Sequence, residues 1–158
     1  MAGSHTHLYE TTIRWTGNRG AGTASYRDYD RNWDWLGKGM EPVHGSADPA
    51  FRGDAAKHNP EDMLIASLSS CHMLWYLHLC ADAGIVVVGY EDNATGEMVT
   101  HAGGAGEFAS VTLRPRVAIA PGGDVEKADA LHEKAHELCF IARSVNFPVR
   151  CEAETVPG

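Results

Sequence analysis

Four cysteines are the residues of this chain best suited to nucleophilic or redox chemistry: Cys71, Cys80, Cys139 and Cys151. No two of them form a C-x-x-C motif, so their spacing is not typical of a secreted disulfide framework or a zinc ribbon. A deprotonated thiol is a strong nucleophile, whereas a buried thiol without a nearby cation behaves as a small apolar side chain. The role of each cysteine therefore depends on the element that carries it.

Cys71 lies near the middle of residues 59–84, which the sequence predicts to be a helix. Asn59 is a good N-cap, Pro60 fits the first helical position, and Gly84 is a natural residue just beyond the C-terminus. Apolar residues occur at almost every angle around this helix, and its interior carries no formal charge. Such a helix is either buried on all sides or embedded in a membrane. Its serines, its histidines and the acidic residues at both ends favour a buried central helix.

A reactive Cys71 would need positive charge from outside its own helix. It is the twelfth residue counted from Pro60, so the helix dipole cannot lower the pKa of its thiol, and burial would raise that pKa. An arginine is the most suitable cation, because it stays charged when partly desolvated. Without such a partner, Cys71 is a small core residue. Cys80 is nine residues further on and about 180° away around the helix, so we expect it to be structural.

The remaining segments predict an α+β protein with antiparallel strands grouped around the buried helix. Arg19 lies at the tip of a predicted hairpin, and a long, partly ordered connection with one or two short strands follows at residues 27–57. A second, amphipathic helix is predicted from the N-cap Asp124 to about Leu138, which places Cys139 on its core side. Cys151 is predicted to fill the core. Alternation of apolar and polar residues indicates strands at residues 8–15, 110–120 and 148–155. A return strand is predicted at residues 23–26 after the hairpin turn, and β-branched residues begin a strand predicted at residues 85–100.

Length, composition and charge limit the classes of protein that this chain can be. With 158 residues, 44% of them hydrophobic, we expect one domain over residues 1–158 with an ordered core at about residues 8–155. A formal charge of −8 argues against nucleic acid and anionic membranes as partners. The first ten residues lack the apolar segment of a signal peptide, so we expect a cytoplasmic protein.

One motif in the second helix suggests zinc. Residues 132–136 match H-E-x-x-H, in which two histidines bind zinc and the glutamate acts as a base. In that motif both histidines face an open site with a third ligand, but here His132 lies within the apolar stripe and His136 at its margin. We therefore expect neither a metal nor an organic cofactor.

Two stretches of the chain resemble the OsmC/Ohr family. NPEDMLIASLSSCH matches the family's N-P-E-E/Q-L helix and its first cysteine, Cys71, and HELCFIARSVNFPV matches the region of its second cysteine, Cys139. Arg19 and Glu61 occupy matching positions, and the resemblance extends over about residues 8–153. Phe140 stands where the family usually has a proline directly after the second cysteine.

The resemblance implies a thiol peroxidase that reduces organic hydroperoxides, with Cys71 as the peroxidatic thiolate and Cys139 as the resolving thiol. Arg19 would lower the pKa of Cys71 and orient the peroxide, and Glu61 would hold Arg19. An external thiol, such as a dihydrolipoyl protein or a small dithiol, would reduce the resulting disulfide. The resemblance also implies an intertwined homodimer, which suits the ten residues, or about 15 Å of helix, that separate Glu61 from Cys71.

Two other functions remain open at this point. One is a non-catalytic binding protein for a small molecule, on the same fold, in which both cysteines are incidental. The other is a cysteine hydrolase with His72 as the base. His72 follows Cys71 directly and points about 100° away around the helix, which disfavours direct pairing of the two side chains.

Overall fold

The computed structural model describes residues 3–157, and its contacts divide the chain into two compact units between Met63 and Leu64. Each unit has its own sheets, and the central helix begins in the first unit and continues into the second. The mixture of sheets and a long helix confirms the predicted α+β class. The prediction of a single domain stays a prediction.

The N-terminal unit contains one antiparallel sheet of three strands. Its strands follow each other in the order β1 (Thr12–Trp15), β2 (Trp33–Leu36) and β3 (Val43–Gly45). The predicted return strand at residues 23–26 is wrong, because turns occupy this stretch and β2 pairs with β1 in its place. Asn18 explains the turns locally, since its side-chain oxygen accepts hydrogen bonds from the backbone N–H groups of Gly20 and Gly22. A short 3-10 helix, Pro49–Phe51, follows β3.

The central helix, α1, spans Pro60–Asp82 with the ends that the sequence predicts. Asn59 caps it, because its Oδ1 accepts a hydrogen bond of 2.7 Å from the Asp62 N–H. At the other end Gly84 has a φ of +73°, and the Ile85 N–H reaches back 2.9 Å to the carbonyl of Cys80. The length and composition of α1 would allow it to cross a membrane, but helices buried in a protein core meet the same two criteria.

Within this chain α1 buries one stripe completely and leaves its other faces partly exposed. The predicted burial on all sides is therefore not reached within one chain. Leu74, on the opposite side, is 63% exposed. The buried stripe has a residue at every fourth position: Leu68, His72, Tyr76 and Cys80.

The C-terminal unit combines most of α1 with two three-stranded sheets and a second helix. One sheet has the order β4 (Val87–Asp92), β7 (Pro115–Ile119), β9 (Glu154–Pro157). The other has the order β5 (Thr95–Thr100), β6 (Gly106–Leu113), β8 (Val149–Cys151). The helix α2 spans Val125–Leu138 behind the predicted N-cap Asp124, whose Oδ1 accepts from the Lys127 N–H at 3.0 Å.

Three of the predicted strands are each divided between the two sheets. Residues 110–120 alternate as one strand, yet the chain leaves the β5–β6–β8 sheet after Leu113 and enters the β4–β7–β9 sheet at Pro115, where a proline is tolerated because it starts the strand. The expectation of antiparallel pairing also needs correction, since β8 and β9 run parallel to β6 and β7. Both strands follow α2, and a helical crossover returns the chain in its original direction.

Candidate active site

Cys71 lies at the middle of α1, half-buried and with a free thiol. Cys139 ends α2, is 1% exposed and is also a free thiol. The two side chains are adjacent, close enough for Cys71 to influence the pKa of Cys139. The structure thus brings together the two cysteines that the sequence singles out, although they lie 68 residues apart (139 − 71).

The surroundings of Cys139 keep its thiol protonated at neutral pH. Burial, with a smaller contribution from the neighbouring Cys71, raises the pKa of Cys139 to about 11, against the opposite effect of nearby backbone N–H groups. One of these is the Ala142 N–H, which donates to the Cys139 Sγ at 3.4 Å. Cys139 is therefore a weak nucleophile until it loses its proton.

Arg19 lies in an exposed loop of the N-terminal unit. Its Nε is 3.6 Å from the Oδ1 of Asp30, and its guanidinium donates a hydrogen bond to the carbonyl of Arg27. Within this chain, groups of the loop itself therefore satisfy much of the charge and hydrogen-bonding capacity of the Arg19 guanidinium. The role predicted for Arg19 towards Cys71 stays a prediction.

Glu61 lies in the first turn of α1, where a carboxylate is favoured by the helix dipole. Its Oε2 is buried and has no hydrogen-bond partner among residues 3–157. The ion pair recorded for Arg19 is with Asp30, so the predicted pairing of Arg19 with Glu61 is not formed within this chain. A buried carboxylate oxygen without a hydrogen-bond partner is costly.

A second cluster of reactive side chains lies in the core of the C-terminal unit, and sequence reasoning missed it. His72 from α1, His132 from α2 and Cys151 from β8 place their donor atoms within 4.8 Å of one another. His72 Nε2 lies 3.0 Å from His132 Nδ1, and Cys151 Sγ lies 3.7 Å from the former and 3.9 Å from the latter. The signal available in the sequence was that each histidine lies on an apolar part of its helix. Such a position indicates that the side chain is buried, but it does not identify the residue that the side chain contacts.

Both histidines of this cluster are neutral at pH 7. Burial lowers the pKa of His72 to about 4, helped by His136, and burial lowers the pKa of His132 to about 4, helped by His72. The ring of Tyr76 stacks on His132 with centroids 3.9 Å apart. Burial also raises the pKa of Cys151 to about 11, so its thiol carries a proton.

This arrangement also decides between earlier alternatives for two histidines. His132 turns into the core towards His72, and His136 contributes no atom to the cluster of three donors, so the described residues do not form the site that H-E-x-x-H implies. His72 contacts His132 and Cys151, so its ring is engaged away from Cys71. A hydrolase in which His72 activates Cys71 is therefore not supported.

The fold is α+β, with one cysteine at the middle of a long helix and a second cysteine beside it at the end of a shorter helix. Together these features define a class of proteins with two adjacent thiols. A family model described as OsmC-like protein matches residues 53–154. That match covers most of the chain, and the chain belongs to the OsmC-like family, as the resemblance implied.

Solved structures agree with this assignment. An OsmC-like protein of unknown function from Vibrio cholerae is 29% identical, with a TM-score of 0.85 over 94% of this chain and 100% of the other. An organic hydroperoxide resistance protein from Elizabethkingia anophelis is 19% identical, with a TM-score of 0.67 over 98% and 100% of the two chains. One from Legionella pneumophila is 18% identical, with a TM-score of 0.66 over 95% and 98%. No curated protein sequence matches significantly.

Proposed function

We propose that the protein is a thiol-dependent peroxidase that reduces organic hydroperoxides, with Cys71 as the peroxidatic residue and Cys139 as the resolving residue. The observation that carries this proposal is the adjacency of the half-buried Cys71 thiol and the buried Cys139 thiol. Family membership supports a redox or stress-related role. Two structural neighbours named organic hydroperoxide resistance proteins support the choice of substrate.

The proposed cycle oxidises two thiols and reduces one peroxide bond. The Cys71 thiolate attacks one peroxide oxygen, the O–O bond breaks, and the leaving alkoxide takes a proton to become the alcohol. Cys71 is then a sulfenic acid. The sulfur of Cys139 attacks it, an S–S bond forms, and the sulfenic oxygen leaves as water with the proton of Cys139. Two thiols of an external reductant return both cysteines to the starting state and become a disulfide themselves.

We also propose that the active site is completed in a homodimer. Glu61 and Cys71 lie about 15 Å apart along one helix, so a single guanidinium cannot serve both within one chain. The unpartnered Oε2 of Glu61 supports a donor from a second copy. In this arrangement Arg19 would rotate away from Asp30, pair with a Glu61 carboxylate and present its charge to a Cys71 thiolate. We place this activity in the cytoplasm, where reducing thiols are available.

The test is stopped-flow consumption of cumene hydroperoxide, with intact mass and peptide maps recorded before and after one equivalent. We expect one equivalent to be consumed, two hydrogens to be lost from the protein, and one link between Cys71 and Cys139 with Cys80 and Cys151 still reduced. A Cys80→Ser variant should behave like the parent protein. A link from Cys71 to Cys151 would reassign the resolving role. Absence of peroxide consumption would favour the non-catalytic binding protein.

A further inference from the structure

The cluster of His72, His132 and Cys151 has no part in the proposed peroxidase cycle, yet it collects three metal-binding atoms in the core. His72 is 0% exposed and His132 is 5% exposed. Their outer ring nitrogens, Nδ1 of His72 and Nε2 of His132, are buried and lack hydrogen-bond partners among residues 3–157.

The three donor atoms have the spacing that a single metal ion requires. Zinc binds imidazole nitrogen at about 2.0–2.1 Å and thiolate sulfur at about 2.3 Å. For donor separations of 3.0, 3.7 and 3.9 Å, a point roughly 0.6 Å from the plane of the donors, on either side of it, satisfies all three bond lengths at once. A metal there would have a trigonal pyramid of protein ligands and one open position.

A pocket of about 440 Å³ borders two of the three ligands. Cys151 and His132 line it, together with Asp129, Glu133 and His136. It therefore supplies an entry route and room for a fourth ligand such as water. Two imidazoles and one thiolate are typical donors for zinc and other late first-row metals, whereas Mg²⁺ and Ca²⁺ prefer oxygen ligands.

We infer that His72, His132 and Cys151 form a binding site for one divalent cation of the zinc class, separate from the Cys71–Cys139 pair. Without a metal, the two histidines, whose rings are nearly parallel, share one N–H between the facing nitrogens. Binding requires the rings to tilt towards Cys151, because 3.0 Å is too short for a metal on the line between the two nitrogens.

The proton balance of this step is simple and measurable. The shared imidazole proton moves to an outer ring nitrogen, so that each histidine stays neutral with its facing nitrogen free to bind. Cys151 binds as a thiolate and releases one proton to solvent. The apparent affinity for Zn²⁺ should therefore rise about tenfold for each pH unit between pH 6.5 and 8.5.

The experiment uses the full chain with Cys71→Ser and Cys139→Ser, so that these two thiols cannot bind the probe. Zn²⁺ is titrated against a chromophoric chelator, and Co²⁺ is added separately as a spectroscopic probe. We expect one equivalent of each ion, a thiolate-to-cobalt charge-transfer band, and X-ray absorption that shows one sulfur and at least two nitrogen ligands. Mg²⁺ at equal concentration should not compete.

Three further substitutions in this background decide the ligand set. Cys151→Ser should lower the affinity for Zn²⁺ by at least tenfold and abolish the charge-transfer band, with circular dichroism confirming the fold. Cys80→Ala, a buried cysteine outside the cluster, should change neither. Loss of binding in His136→Gln with none in Cys151→Ser would overturn the inference in favour of the H-E-x-x-H reading. Absence of stoichiometric Zn²⁺ binding to the folded background protein would overturn it as well.

Discussion

Mild acid should destabilise this protein through its two buried histidines. His72 and His132 each have a native pKa of about 4, against about 6.5 for an unfolded histidine. The unfolded chain therefore binds more protons than the native chain between these two values. A lowered native pKa contributes stability that is complete above pH 6.5 and is lost as the pH falls towards 4.

The size of this loss follows from the two pKa values. Between pH 7 and pH 5 each histidine should lower the free energy of unfolding by about 2 kcal/mol, or about 4 kcal/mol for both. This is a large share of the roughly 5–15 kcal/mol that stabilises a typical domain. With a urea m-value of about 2 kcal/mol/M, the unfolding midpoint should fall by about 2 M. Carboxylates with pKa values near 4 add to the loss mainly below pH 5.

The assay is urea unfolding followed by circular dichroism at pH 7, 6 and 5, with EDTA present and the protein concentration fixed. The variant is His72→Gln with His132→Asn, whose amides replace the facing ring nitrogens without titrating. Its stability should vary little from pH 7 to 5, whatever its absolute value. His78→Asn, which alters an exposed histidine on α1, should keep the parent slope. Equal slopes for the parent protein and the double variant would refute the reasoning.

Four shorter predictions concern the two thiols and the end of α1. Cys139→Ser should leave Cys71 as a sulfenic acid after one equivalent of peroxide. Intact mass would then show a gain of one oxygen and dimedone would label the protein, whereas a protein disulfide would identify another resolving thiol. Because the pKa of Cys139 is raised to about 11, disulfide formation should accelerate about tenfold per pH unit between pH 6 and 9, and a flat profile in stopped-flow fluorescence would contradict this. In a variant without the other cysteines, Arg19→Ala should raise the pH at which iodoacetamide alkylates Cys71 half-maximally. Each pH unit of this shift corresponds to about 1.4 kcal/mol of lost thiolate stabilisation, and an unchanged midpoint would direct attention to Arg52 or Arg143. Gly84→Ala should cost about 1–2 kcal/mol in urea unfolding, since its φ is +73°, and a neutral effect would mean that the turn relaxes.

Local chemistry explains why both helices were predicted with nearly correct ends. A cap depends on residues within about four positions of the helix end, as with Asn59 and Asp62, so the sequence contains the whole interaction. The same holds for Asp124 at the start of α2 and for Gly84 after α1. The two cysteines of the proposed cycle were identified through motifs that are equally local.

Strand assignments were less accurate because alternation shows which side of a strand is buried but not which sheet it joins. Residues 110–120 keep one alternation while the chain passes from β6 to β7 at Pro115. The parallel pairing of β8 and β9 depends on the path of the chain through α2, which no stretch of sequence specifies by itself.

The sequence by itself determined the class of fold, the helix ends and the choice of Cys71 and Cys139, because short-range patterns encode these features. Only the tertiary structure decided the environment of Cys151, which the sequence predicts as core filling and which lies beside His72 and His132. These three residues come from separate elements, 60 and 79 positions apart when counted from His72. A buried polar side chain is satisfied by whatever long-range packing places next to it, and no local pattern records that partner.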